Sequence, residues 1–100
     1  MIKHVILWQL KDELSAEEII KVKADIKKGL EDLKGVVPGI IDICVQTEML
    51  DSSNADVMLD SSFESVEALK GYAVHPAHVK VADEAVRPFT KARVCVDFEA

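Results

Sequence analysis

Side chains able to do chemistry are scarce in this chain. Aromatic residues make up 5% of the 100 positions, with one Trp and one Tyr, and there are three His and two Cys. Few groups are therefore available to move a proton near neutral pH. Cys44 and Cys95 lack the spacing of a metal knuckle or a redox pair. They read as half-buried free thiols in a reducing cytoplasm. Positive charge is in deficit: 12 Lys and Arg stand against 18 Asp and Glu, a net charge of −6, with a pI near 4.9. That balance excludes a phosphate-backbone binder, so no nucleic-acid partner is expected. No apolar run reaches membrane-spanning length, and no membrane partner is expected either. The opening residues Met1 to Trp8 are not followed by a signal-peptide core or a small-residue cleavage site. They read as a strand of the mature protein, which is expected in the cytoplasm.

Hydrophobic residues at 49% and charged residues at 30% describe an ordinary globule. There is no linker, repeat or low-complexity tract, so residues 1–100 read as a single domain. Residues 2–11 predict a strand with Ile2, Ile6, Trp8 and Leu10 on one face and Val5 and Leu7 on the other. His4 shares the face of Trp8. Ser15 with Glu18 forms a capping-box signature for a helix carrying Ile19, Val22, Ile26, Leu30 and Leu33. Gly35 stops it and Pro38-Gly39 turns the chain. Residues 40–48 predict a second strand, with Ile41, Ile43 and Val45 on one face, and residues 55–63 a third. A short helix runs from Ser65 through Tyr72, another from Pro76 to Val86, and residues 91–99 close the chain as a strand.

The order β-α-β-β-α-α-β favours an α+β ferredoxin-like sandwich, with helices on one side of an antiparallel four-stranded sheet. Helices can cover only one sheet face, yet the first two strands are apolar on both. A homodimer packed sheet to sheet accounts for the surplus.

Two of the three His and the only Tyr fall within Gly71-Tyr72-Ala73-Val74-His75-Pro76-Ala77-His78. His75, before a proline, is pushed away from helical geometry, so a helix carrying Tyr72 ends there. Pro76 suits the first position of the next helix. His78 then lies in that helix's first turn, where the dipole biases it towards neutral imidazole. Tyr72 and His78 are the candidate acid/base pair. His4, Trp8, Val57 and His75 are candidate binding residues. Trp8 and Phe63 also read as core or dimer contacts. His75-x-x-His78 across a proline break is not the i,i+4 pair of a zinc helix, so no metal site is assigned, and no cofactor is expected.

Two stretches carry a family resemblance. The first is Ile2-Lys3-His4-Val5-Ile6-Leu7-Trp8-Gln9-Leu10-Lys11. The second runs from Phe63-Glu64-Ser65 through Tyr72 to His75-Pro76-Ala77-His78. Together they resemble the stress-responsive A/B barrel domain family, also called the dimeric α/β barrel (Dabb) family, across essentially the whole chain. The resemblance implies a ferredoxin-like dimer whose sheets form a joint barrel. It implies little about activity, since most members have none assigned and some plant members are linked to stress tolerance as very stable oligomers. One branch closes a linear poly-β-keto chain into an aromatic ring without a cofactor, using a Tyr and a His. By position these match Tyr72 and His78, and a pocket His on the first strand matches His4. That branch carries a further pocket His on its third strand, where this chain has Val57.

Two readings of function stand. One is a small-molecule pocket near His4, Tyr72 and His78, with cofactor-free, cyclase-like acid/base chemistry. The other is a non-catalytic structural or stress-associated homodimer. A cofactor-free monooxygenase is a third, on analogy of fold alone. The dimer is common to the first two, and light scattering at micromolar concentration should return the mass of two chains; a one-chain mass overturns it.

Overall fold

Each predicted element forms, in the expected order, with some of its bounds moved. In the computed structural model, which describes residues 1–100, strand β1 spans Ile2–Leu10 and helix α1 Ala16–Glu31. Strands β2 and β3 span Ile40–Gln46 and Val57–Phe63. Helices α2 and α3 span Val66–Val74 and Pro76–Val81, and β4 spans Thr90–Glu99. Both halves of the capping box close: the Ser15 hydroxyl accepts from Glu18 N at 3.1 Å, and the Glu18 carboxylate accepts from Ser15 N at 2.9 Å. These bonds satisfy two of the donors that every helix start leaves free. No helix is long and apolar enough to cross a membrane.

The sheet is antiparallel in the order β2-β3-β1-β4, so β1 and β3 are central. Helix α1 is fastened to the β2 edge by a polar clamp. Lys27 donates to the Val45 carbonyl at 2.8 Å, and Glu31 accepts from Val45 N at 2.9 Å. Beneath it lies the core, where Val22, Ile26 and Leu30 meet Val45, Val57, Leu59 and Phe63. The fold is the α+β ferredoxin-like sandwich.

Three local expectations change. Strand β2 ends at Gln46, and a register shift between Ile40 and Asp42 leaves Ile41 exposed. Only Ile43 and Val45 of the expected trio reach the core. Strand β3 starts at Val57 rather than residue 55, because Asp56 is occupied in joining the chain to β1. Its N–H donates to the Trp8 carbonyl at 2.8 Å, and its carboxylate accepts from Leu10 N. The helix expected over Pro76–Val86 keeps its span but widens after Val81 into a π turn over Ala82–Val86, closed by Arg87 N donating to the Ala82 carbonyl. A 3-10 turn over Arg87–Phe89 follows. Pro88 has no N–H to continue an α-helical ladder. Such a π turn often shapes a functional wall.

Register decides which side of β4 faces the helices. Arg93, Cys95, Asp97 and Glu99 pair with Trp8, Ile6, His4 and Ile2, the helix-facing residues of β1. The polar set of β4 thus looks towards the helix layer. Val94 and Val96 lie on the open face beside Leu7 and Val5, exposed at 59% and 51%. Phe98 joins them.

Two glycines hold positive φ, Gly35 at 86° and Gly39 at 87°. A Cβ at Gly39 would sit 2.5 Å from Ala68 Cβ, whereas one at Gly35 meets nothing within 4 Å. Urea unfolding should therefore rank Gly39→Ala below Gly35→Ala. The second costs about 1–2 kcal/mol from backbone strain alone, and the first costs more by the added clash. Equal midpoints would refute this account of the turn.

Candidate functional site

The Pro76 break builds the site. His75 adopts φ −64° and ψ 131°, closing α2 and opening α3, and its Nδ1 accepts from Ala77 N at 3.1 Å. Its imidazole is thus used as a cap on the outer side of the corner, beside Gly39 and Glu64. The chain reversal brings His78 back over Tyr72, with ring centroids 4.2 Å apart and planes tilted by 38°. His78 Nδ1 lies 3.2 Å from the Ala73 carbonyl oxygen. A carbonyl only accepts, so Nδ1 carries the proton and Nε2 holds the free lone pair.

Burial lowers the His78 pKa below 6.5, and the nearby guanidinium groups of Arg87 and Arg93 push it the same way, against the Ala73 hydrogen bond. The ring is therefore neutral, and basic at Nε2, around neutral pH. Tyr72 is buried, and burial raises its phenol far above the ordinary value of 10. It stays protonated. Its hydroxyl is the one buried side-chain polar atom without a hydrogen-bond partner.

His4 approaches from β1. Its Nδ1 meets the Asp97 carboxylate directly across the β1–β4 ladder. The Ser61 hydroxyl donates to the His4 carbonyl at 2.7 Å. The ring stands edge-on to Tyr72 at 6.0 Å and to Phe63 at 6.1 Å.

A cavity of about 390 Å³ opens at this junction, within the range of small-molecule sites. Its polar rim is Tyr72, His78, Arg87, Thr90 and Arg93, and Trp8 forms part of its apolar wall. A second hollow of about 600 Å³ lies between α2 and β4 and takes in His4, Cys95 and Asp97, with Arg93 shared between the two. Of the residues singled out in the sequence, Tyr72, His78 and Trp8 come together on the first cavity, and His4 stands one ring away on the second. Val57 and His75 are not brought to either. Val57 is sealed in the core opposite Trp8, and His75 is spent on capping.

Sequence reasoning missed Arg87, Thr90, Arg93 and Asp97 as site residues. Arg87 lies just past the expected end of the helix at Val86, and the other three sit on a strand whose facing only the register sets. The His4, Cys95 and Asp97 donor atoms lie within 4.8 Å of one another, the one grouping here with metal-ligand character, and neither His75 nor His78 belongs to it.

Two measurements follow. Tyr72→Phe removes a buried hydroxyl that has no partner, so stability should be unchanged or rise, within about 1 kcal/mol; a clear loss in urea unfolding would mean that the hydroxyl is bonded. The His78 pKa lies below its unfolded value of 6.5, so the unfolded chain binds more protons in between. The contribution of neutral His78 is complete above the unfolded value and is lost as pH falls through the folded one. His78→Gln should flatten that slope below pH 6.5; an unchanged slope contradicts the assignment.

Comparison with known proteins agrees with this architecture. A model of the stress responsive A/B barrel domain matches residues 2–100. The stress-response A/B barrel domain-containing protein HS1 of Arabidopsis thaliana is 37% identical over 84 residues, 81% of this chain and 73% of its own length. Olivetolic acid cyclase of Cannabis sativa is 27% identical over 85 residues, 82% of this chain and 80% of its own. A dimeric ferredoxin-like protein of unknown function from Bacteroides fragilis superposes with a TM-score of 0.93 at 30% identity, covering 99% of this chain and 95% of that one. With a match running from the first strand to the last residue, the chain belongs to the stress-responsive A/B barrel domain family.

Proposed function

We propose that this chain binds a small, partly apolar carbonyl compound in the 390 Å³ cavity and catalyses proton transfer there without a cofactor. The observation that carries the reading is the Tyr72 hydroxyl, buried and unpartnered beside a neutral imidazole. Native proteins seldom bury a hydroxyl unbonded, and a ligand oxygen would satisfy it. His78 Nε2 takes a proton from the carbon next to the carbonyl. The C–H electron pair becomes the enolate π bond, and the carbonyl oxygen takes up the charge. Tyr72 donates its hydrogen bond to that oxygen. The same imidazolium returns the proton to carbon or to a new partner, which closes the cycle. His4, held by Asp97, keeps the Tyr72 ring in place from the other side. A relative named as a cyclase supports this class of chemistry.

The working unit in this reading is a homodimer joined through the open sheet face, where Val94, Val96 and Phe98 lie exposed in a row. That row also favours a second reading, a stress-associated dimer without catalysis, for which the HS1 likeness speaks.

Keto–enol interconversion of acetylacetone, followed by the ultraviolet band of its enol, separates the two. Wild-type dimer should exceed the buffer rate, and the excess should fall as pH drops below 6.5, since protonated His78 is no base. His78→Ala and Tyr72→Phe should each remove about a hundred-fold of it or more. An excess that survives both substitutions, or none at all, leaves the structural dimer as the function.

A further inference from the structure

We infer that the cavity is an oxyanion-selective site, and that its ligand is a carbonyl compound bearing a carboxylate held by Arg93. This deepens the proposed function and rests on it. The argument begins from charge. The chain carries a net charge of −6, yet the cavity lining contains Arg87, Arg93 and His78 and not one Asp or Glu. Two guanidinium groups and a neutral imidazole thus line a hollow that has no carboxylate on its wall.

The two arginines differ. Arg87 is already engaged, donating to the Asp83 carboxylate one turn back. Arg93 makes no ion pair, and among the unpaired cations (Lys11, Lys23, Lys70, Lys80 and Arg93) it alone lines this cavity. Asp97 and Cys95 share its strand face, but Asp97 is turned to His4.

Strand register explains why Arg93 is there. It pairs with Trp8 across the β1–β4 ladder and so stands on the helix-facing side, at the junction between the two hollows. Its planar fork suits a carboxylate in two-point contact, stronger than an ordinary hydrogen bond. The neighbouring apolar wall of Trp8, Ile6 and Leu59 takes the rest of the molecule. Nearby cations help hold His78 neutral, so a bound carboxylate should also raise its pKa, a second and independent readout.

Acetoacetate and acetylacetone supply the test, because they differ chiefly in a carboxylate replacing an acetyl group. Each is titrated into the intact protein, with the His78 ring resonances as the signal. Acetoacetate should bind about ten-fold more tightly at low salt, and the advantage should shrink as salt rises. The acetoacetate-to-acetylacetone affinity ratio should fall to about one in Arg93→Leu, and part of the preference should return in Arg93→Lys. Arg93 is exposed on the edge strand β4, and a wild-type circular dichroism spectrum and urea midpoint show that each variant is folded. Equal affinity of the two ligands for wild type, or an acetoacetate advantage that persists in Arg93→Leu, overturns the oxyanion inference and leaves the proposed function standing. No response of His78 to either ligand overturns both.

Discussion

The site depends on one strand pairing. Because β4 joins β1 with Asp97 opposite His4, a carboxylate meets the Nδ1 of a buried imidazole, and that ring stands edge-on to Tyr72. The same register puts Arg93 opposite Trp8 and sends Val94, Val96 and Phe98 to the far side. A slip of one residue would exchange the two faces of β4 at a stroke, since strand side chains alternate with period two. The cavity would then lose its cations, and the open face would lose its apolar row. The polar helix-side face and the apolar open face of β4 are two results of a single ladder.

The second constraint is the proline break. A continuous helix from Val66 to Val86 would carry Tyr72 and His78 six residues apart along one axis. Pro76 forbids His75 the α conformation and lets the chain start again, so that His78 folds back onto the Tyr72 ring. The imidazole is then fixed by a carbonyl of the preceding helix, Ala73, rather than by a carboxylate. That choice keeps it weakly basic. A carboxylate partner would hold the imidazolium instead, and His78 would lose its lone pair near neutral pH.

These features share a pattern of local rules left unsatisfied near the cavity. The Tyr72 hydroxyl has no partner, the helix path widens into a π turn at Ala82–Val86, and Arg93 has no counter-ion. Helix α1 by contrast is orthodox, with a closed capping box and i,i+4 ion pairs at Lys21–Asp25, Lys27–Glu31 and Lys28–Asp32. Departures from local consistency concentrate where a ligand could complete them.

Much was legible in the amino-acid order alone. Apolar spacing placed α1 and its core stripe. Ser15 and Glu18 set its start, Gly39 the turn before β2, and Pro76 the corner between α2 and α3, because each acts through its immediate neighbours. The likeness of two segments to a family singled out Tyr72, His78 and His4. The misread details were those in which a distant partner intervenes. The bulge in β2 answers to β3, and the start of β3 answers to Asp56 reaching β1. Val57 could not be told from a pocket residue until its burial was known, nor His75 from a ligand until its Nδ1 was found capping Ala77. Alternation along β4 announced two faces without saying which looked at the helices. Periodicity is a property of one strand, whereas facing is a relation between two, and only the β1–β4 register in the tertiary structure turned Arg93 and Asp97 inward.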